Sequence, residues 1–121
     1  MARALNGIVV LAVLAAGIAA ASGHAFLDRA NPAVGSTVRA PPGEVRLWFT
    51  QALEPAFSSV QVVSDGGQKV DRGDAQVDPA DRTVLRVSLS PLAPGSYKVI
   101  WRVLSVDTHV TEGDYRFRVA P

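Results

Sequence analysis

Five short runs of alternating apolar side chains constrain this chain more than any other feature of its sequence. A two-residue period sends successive side chains to opposite faces of an extended strand, so each run predicts a strand with one face packed inward. Turn-forming residues separate the runs, as in Pro41-Pro42-Gly43, Asp65-Gly66-Gly67 and Pro94-Gly95. The runs occupy residues 44–49, 60–63, 85–89, 97–104 and 114–119.

This spacing of strands and turns predicts the fold class. About seven short strands, with a turn every ten residues or so, are typical of a small immunoglobulin-like β-sandwich or Greek-key barrel. We therefore expect an all-β domain, in which Trp48 and Trp101 serve as packing residues. The arginines of the runs are expected on solvated outer faces of the strands, namely Arg46, Arg86, Arg102, Arg116 and Arg118.

The first 23 residues have the three parts of a cleavable secretion signal. Arg3 supplies a positively charged N-terminal region, residues 5–21 are almost entirely apolar, and Ala21-Ser22-Gly23 places small residues before the cleavage site. We predict a signal peptide over residues 1–23 and one exported domain, periplasmic or otherwise, over residues 24–121. An uncleaved membrane anchor is the alternative, because the apolar run has a length found in signal peptides and in membrane-spanning segments alike. Cleavage after Ala21 or Ser22 is a further alternative.

The composition of the mature chain excludes several functions. Loss of Arg3 reduces 12 basic residues to 11, which balance 11 acidic ones, so no basic face for nucleic acid is evident. The chain has no cysteine, which excludes disulfides, thiolate metal ligands and cysteine catalysis. Met1 is the only methionine and would leave with the signal. The mature domain is expected to lie outside the membrane.

The two histidines of the chain point to a metal site. Cleavage after Gly23 makes His24 the first residue, so that its α-amine and imidazole offer two nitrogen donors. The other histidine, His109, follows Asp107 by two residues, and side chains at that spacing share one side of an extended segment. Asp107 could bind the metal with His109, or it could orient the imidazole of His109 from outside the coordination sphere.

The chemistry of these donors favours one oxidised metal ion per chain. Nitrogen and oxygen donors suit Cu(II), which heads the affinity order of the divalent first-row metals, whereas Cu(I) prefers sulfur. Zn(II) would accept the same donors in a tetrahedral arrangement. The alternative without a metal makes His24 a frayed terminus and His109 an ordinary loop histidine.

The sequence around these residues resembles the CopC-type periplasmic copper-resistance proteins, including the YobA-like members. The likeness begins at His24-Ala25 and includes Asn31-Pro32, the strand segments 44–49 and 97–103, the segment 105–109 and Gly113. The resemblance implies a small β-barrel or sandwich and a non-enzymatic copper carrier. It implies that His24, Asp107 and His109 bind Cu(II), and that a CopD-like inner-membrane importer receives the copper. A monomer is expected.

The sequence departs from the family pattern at a few positions. Thr108 stands where the family usually has glycine between the aspartate and the histidine, and Val110 where proline often follows. The methionine-rich loop of some members is missing, which puts a two-site redox relay in doubt. Glu54 lies near a region where some members have an acidic residue linked to the copper site, but it does not align securely and stays outside the predicted ligand set.

Two functions from other classes remain open at this point. An N-terminal histidine with a second histidine is also the brace of the copper-dependent polysaccharide monooxygenases, although this chain is short for that class. An immunoglobulin-like interaction module without a metal is the other alternative. A melting scan separates the metal-free module from the others, because a bound metal raises apparent stability.

Overall fold

The computed structural model describes residues 24–121, which form a two-sheet β-sandwich. The predicted signal peptide lies outside the described residues. One sheet has the strand order β1-β3-β6-β5, and the other has the order β2-β8-β7-β4. The strands are β1 (Leu27–Asn31), β2 (Thr37–Val38), β3 (Glu44–Phe49), β4 (Ser59–Ser64), β5 (Gln76–Val77), β6 (Val84–Ser88), β7 (Gly95–Leu104) and β8 (Val110–Val119).

The predicted all-β class is confirmed, and of the two predicted architectures the structure is the sandwich. All five alternating runs fall on strands, with small differences at their ends. Eight strands are found where about seven were expected, because β2 and β5 are two-residue strands with no recognisable alternation. Neighbouring strands are antiparallel except for β2, which pairs in parallel with β8.

The core lies between the sheets and is filled by the apolar members of the alternating runs. Leu47, Leu85 and Phe117 are fully buried, and the ring of Tyr97 stacks on Phe117 with centroids 5.6 Å apart. The hydroxyl of buried Tyr115 donates a hydrogen bond to the carbonyl of Pro32 at 2.7 Å, and burial raises the pKa of this phenol.

The two tryptophans have different environments. Trp101 is partly buried against the core, and its ring covers Gly113 on the neighbouring strand. A Cβ atom at Gly113 would lie 2.6 Å from that ring, so glycine is required there. Trp48 lies outside the buried cluster, with the guanidinium of Arg29 3.9 Å from its ring centroid, a cation–π contact.

The outer arginines are only partly as predicted. Arg102, Arg116 and Arg118 are exposed, whereas Arg46 and Arg86 are half-buried. The reason is a shared anion: both half-buried guanidinium groups lie within 4 Å of one carboxylate oxygen of Asp78, at 3.9 and 3.8 Å. Their charges are therefore partly neutralised within the protein.

Residues 69–72, which we call the edge segment, cover the free edge of β4. The amide of Val70 donates to the carbonyl of Val62 at 2.9 Å, and the amide of Arg72 donates to the carbonyl of Ser88, the last residue of β6 in the other sheet. The edge segment thus links the two sheets and occupies backbone groups that would otherwise be unpaired. Within residues 24–121 the helical structure is the single 3-10 turn Pro55–Phe57, and no helix there is long and apolar enough to cross a membrane.

Candidate metal centre

The turn between β7 and β8 carries two of the three predicted ligands. Ser105 closes this turn: its amide donates to the carbonyl of His109 at 3.0 Å, and its carbonyl accepts from the amide of Thr108 at 2.9 Å. Thr108 has a positive φ of 71°, which is the left-handed conformation that tightens the turn. The turn therefore holds Asp107 and His109 at one end of the sandwich.

Residues His24, Ala25 and Phe26 are fixed at the same end. Ala25 is fully buried, and its carbonyl accepts a hydrogen bond from the hydroxyl of Thr111 in β8 at 2.7 Å. The carbonyl of Phe26 accepts from the amide of Thr50, the residue after β3, at 2.9 Å. The hydroxyl of Thr50 accepts from the amide of Phe26 at 3.0 Å. These residues are therefore held by both sheets, directly beside the turn.

The structure brings the side chains of His24, Asp107 and His109 into one cluster. The two imidazole centroids lie 4.6 Å apart, with the ring planes inclined at 46°. Nδ1 of His109 lies 3.5 Å from Oδ1 of Asp107. All three residues are exposed, so the cluster is open to an ion arriving from solvent.

Ser105 lies beneath this cluster and contacts two of its members. Its side chain is completely buried, and its hydroxyl donates a hydrogen bond to Oδ1 of Asp107. The hydroxyl oxygen of Ser105 also accepts the amide hydrogen of His109 at 3.2 Å. The hydrogen bond from Ser105, with smaller contributions from neighbouring His109, holds the pKa of Asp107 below its usual value of 3.8. Asp107 therefore remains a carboxylate well into acid.

Sequence reasoning missed the residues that support the cluster. Ser105 precedes Asp107 by two residues, so the spacing that linked Asp107 with His109 could also have included it. Thr50 and Thr111 gave no such signal, because each contacts a segment distant in the chain. Only the folded arrangement of the sheets brings them to residues 24–26.

The cluster is assembled but is not a closed cage. Among residues 24–121, no three histidine or acidic side chains stand close enough to hold an ion without moving. Exposed side chains can change rotamer, and the donor set of imidazoles and a carboxylate fits Cu(II) or Zn(II). The contact between Asp107 and Nδ1 of His109 matches the arrangement in which a carboxylate orients a metal-binding imidazole. Both roles considered for Asp107 are therefore compatible with the geometry.

Glu54 lies at the same end but has a different partner. Its amide donates to the carbonyl of Leu104 at 2.8 Å, which places its backbone beside the end of β7. Its carboxylate lies 3.8 Å from the guanidinium of Arg82. Glu54 thus contributes to an ion pair, separate from the contacts that join the two imidazoles and Asp107.

The fold and the cluster together define a class of protein: a small β-sandwich that presents two imidazoles and a carboxylate at one end. Residues 27–120 match the family model described as "CopC domain". The chain therefore belongs to the CopC family, which confirms the resemblance seen in the sequence.

Two curated relatives and one solved structure show how far the likeness extends. Protein YobA of Escherichia coli K12 is 35% identical over 97 residues, covering 79% of this chain and 78% of that protein. Copper resistance protein C of Pseudomonas syringae pv. tomato is 32% identical over 124 residues, covering 95% and 98%. The crystal structure of CopC from Methylosinus trichosporium OB3b has a TM-score of 0.72 and 38% identity, covering 81% of this chain and 95% of that one.

Proposed function

We propose that the chain is an exported Cu(II)-binding protein that carries copper outside the cytoplasm, without catalytic turnover. The observation that carries this proposal is the 4.6 Å approach of the imidazoles of His24 and His109, which lie at opposite ends of the mature sequence. Membership of the CopC family and the name of the Pseudomonas relative, Copper resistance protein C, support a copper-related function.

The proposed ligands of one Cu(II) ion are His24, Asp107 and His109. Their nitrogen and oxygen donors suit the oxidised ion, and the mature chain offers no sulfur because it has no cysteine and its only methionine is Met1. Cleavage after Gly23 would add the α-amine of His24 as a second donor from one residue. Two donors on one residue form a chelate, which lowers the entropy lost on binding.

A carrier must release its ion to another protein, and the surroundings of the cluster support that role. Val106 and Val110 adjoin proposed ligands in sequence, and the ring of Phe26 lies 5.7 Å from that of His24 between centroids. All three are exposed large apolar residues, with 44%, 48% and 60% of their surface accessible. Exposed apolar side chains at a functional site are typical of contact surfaces for partners. We propose periplasmic or other exported copper transfer by a monomer, with a CopD-like inner-membrane importer as the receiving protein.

Titration of the processed protein, beginning at His24, with Cu(II) tests this function. We expect one ion per chain and a higher melting temperature with copper, because a ligand at 100 times its Kd stabilises the folded state by about 2.7 kcal/mol. His109→Ala should remove most of the affinity. One residue added ahead of His24 should do the same, whereas one residue added after Pro121 is the matched control and should leave binding intact.

The proposal has clear contrary outcomes. Unchanged Cu(II) affinity in both His109→Ala and the N-terminally extended protein would exclude the proposed site. No stoichiometric copper after dialysis and no thermal shift would favour the metal-free interaction module. Peroxide production with ascorbate would favour the copper oxygenase.

A further inference from the structure

Ser105 is a buried polar residue that the proposed function does not yet use. Its hydroxyl is completely inaccessible, although it lies within a turn whose next four residues are exposed. A buried hydroxyl normally has hydrogen-bond partners, because its desolvation is otherwise costly. Here all three partners belong to proposed ligands: the carboxylate of Asp107, the backbone amide of His109 and, at 3.3 Å, the backbone carbonyl of His109.

A hydroxyl is suited to this position because it can donate and accept at once. It donates its hydrogen to Oδ1 of Asp107 and accepts the amide hydrogen of His109 through the same oxygen. Oδ1 of Asp107 also lies 3.5 Å from Nδ1 of His109. Oδ1 is thus engaged by the protein, whereas Oδ2 makes no hydrogen bond within residues 24–121.

The backbone around Ser105 makes it a rigid point of attachment. Ser105 forms a β-bridge with fully buried Leu53, and the amide of Val106 donates to the carbonyl of Ala52 at 3.0 Å. The turn is thereby fixed to the segment that follows β3. A side chain anchored in this frame can transmit its rigidity to the exposed residues that it contacts.

We infer that Ser105 is a positioning residue for the metal: it holds Asp107 by Oδ1, leaves Oδ2 as the free carboxylate donor, and fixes the backbone of His109. This inference rests on the proposed function, because it concerns the same cluster. Its physical basis is preorganisation: side chains already held in position lose less conformational entropy when they bind. Removing the hydroxyl should therefore weaken binding without removing a donor atom.

Ser58 provides a matched control for Ser105. It is also buried, and its hydroxyl accepts the amide hydrogen of Leu104 at 3.1 Å. Leu104 is the last residue of β7 and directly precedes Ser105. The hydroxyl of Ser58 also lies 3.5 Å from the carbonyl of Leu104. Within residues 24–121 the Ser58 hydroxyl hydrogen-bonds with Leu104 and not with Asp107 or His109. Ser58→Ala and Ser105→Ala thus delete similar buried hydroxyls, only one of which contacts proposed ligands.

The test compares Cu(II) binding by the processed wild-type protein, Ser105→Ala, Ser58→Ala and His109→Ala. Affinity is measured by competition with a chelator, and coordination by electron paramagnetic resonance. We expect Ser105→Ala to bind about 10- to 100-fold more weakly, the usual effect of losing a group that supports a metal ligand, and to give an altered spectrum. Ser58→Ala should keep the wild-type affinity and spectrum.

Two results separate the failure of this inference from the failure of the site. If Ser105→Ala binds like wild type while His109→Ala does not, Ser105 has no positioning role and the metal site stands. If His109→Ala also binds like wild type, the proposed function itself is wrong. An equal loss of affinity in Ser105→Ala and Ser58→Ala would reduce Ser105 to a structural role and overturn the inference.

The copper-free protein gives an independent readout. The ¹⁵N chemical shifts of the His109 imidazole report which ring nitrogen carries the hydrogen, and this depends on the carboxylate beside Nδ1. We expect these shifts to change in Ser105→Ala and to stay unchanged in Ser58→Ala. Ser105→Thr retains a hydroxyl, so it should return both the shifts and the copper spectrum toward wild type. A folded Ser105→Thr protein that behaves like Ser105→Ala would contradict the inference.

Discussion

Two aspartates of this molecule, Asp71 and Asp107, lie in irregular segments and use their carboxylates in opposite ways. Only 1% of the side chain of Asp71 is exposed, and both of its oxygens are engaged. Oδ2 accepts from the amide of Val62 at 2.8 Å, and Oδ1 accepts from the amide of Gly73 at 2.9 Å. Asp107 is 39% exposed, and the protein engages only its Oδ1.

The difference separates a carboxylate that supports the fold from one that is available for chemistry. Asp71 satisfies the amide of Val62 on the edge of β4 and the amide of Gly73 in its own loop, and so fixes the edge segment across the two sheets. A buried carboxylate is tolerated only with such partners. Asp107 retains an uncommitted oxygen at the surface beside the imidazole of His109, so this oxygen stays available to an incoming cation.

The largest effect on stability is expected from Asp71→Ala. The change would leave the buried amide of Val62 and the amide of exposed Gly73 without their acceptor, at a cost of about 2 to 3 kcal/mol. For a domain of this size that loss lowers Tm by about 10 to 20 °C, as measured by circular dichroism. Below the lowered Tm, copper stoichiometry should be unchanged.

Asp65→Ala is the control for Asp71→Ala. Asp65 is exposed and pairs with exposed Arg116 at 3.0 Å, so its removal should change Tm little. If Asp71→Ala melts like Asp65→Ala, the hydrogen bonds of Asp71 do not fix the edge segment, and the contrast between the two aspartates fails.

Asp107→Asn should behave in the opposite way to Asp71→Ala, with little change in stability and a large loss of copper affinity. The amide oxygen can still accept the hydroxyl hydrogen of Ser105, so Tm should remain close to that of wild type. The negative charge is lost, and Cu(II) affinity should fall about 10- to 100-fold whether Asp107 binds the metal or orients His109. Chelator competition measures the loss. A stable protein with undiminished copper affinity would show that Asp107 has no part in the site.

Acid should release copper without first neutralising Asp107. Its folded pKa is depressed, so the stabilisation from its charge is present above the usual value of 3.8 and is lost only as pH falls through the lower folded value. Loss of Cu(II) above pH 4 must therefore come from protonation of nitrogen donors. In a titration followed by absorbance, the weaker Asp107→Asn site should release copper at a higher pH than wild type, but above pH 4 both proteins should take up the same number of protons per ion released, read from the steepness of the transition. A smaller number of protons in Asp107→Asn would assign part of the release to Asp107.

The contrast between the aspartates also shows how far the sequence alone could lead. The alternation of apolar and polar residues predicted the long strands, because a strand with one buried face has an apolar residue at every second position of its sequence. The Asp107–His109 pair was also predictable, since its spacing is local. The two-residue strands and the role of Asp71 were not predictable, because they depend on pairing between distant segments. The approach of His24 to His109 is likewise a long-range result of the fold; the scarcity of histidine and the resemblance pointed to it, whereas no local spacing could.

A smaller effect is expected from Thr108→Gly in the turn that carries Asp107. Thr108 has a φ of 71°, which costs a non-glycine residue about 1 to 2 kcal/mol. Glycine removes that strain but loses about 0.5 to 1 kcal/mol through greater freedom in the unfolded chain. The expected net gain is about 0.5 to 1 kcal/mol in urea unfolding. Thr108→Ala keeps the strain and should show no gain; equal stability of the two variants would contradict this account.

The smallest effect is expected from Glu54→Gln, which tests whether exposure alone makes a carboxylate a metal ligand. Glu54 is 39% exposed, the same fraction as Asp107, and it lies at the same end of the sandwich. Its neighbour, however, is the guanidinium of Arg82 at 3.8 Å, a cation that competes with a metal ion for the carboxylate. An exposed ion pair contributes about 0 to 1 kcal/mol, so Tm should change little, and Cu(II) affinity and spectrum should match wild type. A weakened or altered copper site in Glu54→Gln, measured beside Asp107→Asn, would place Glu54 among the ligands. What distinguishes the two carboxylates would then be rearrangement on binding, and not the partner that each one has in the free protein.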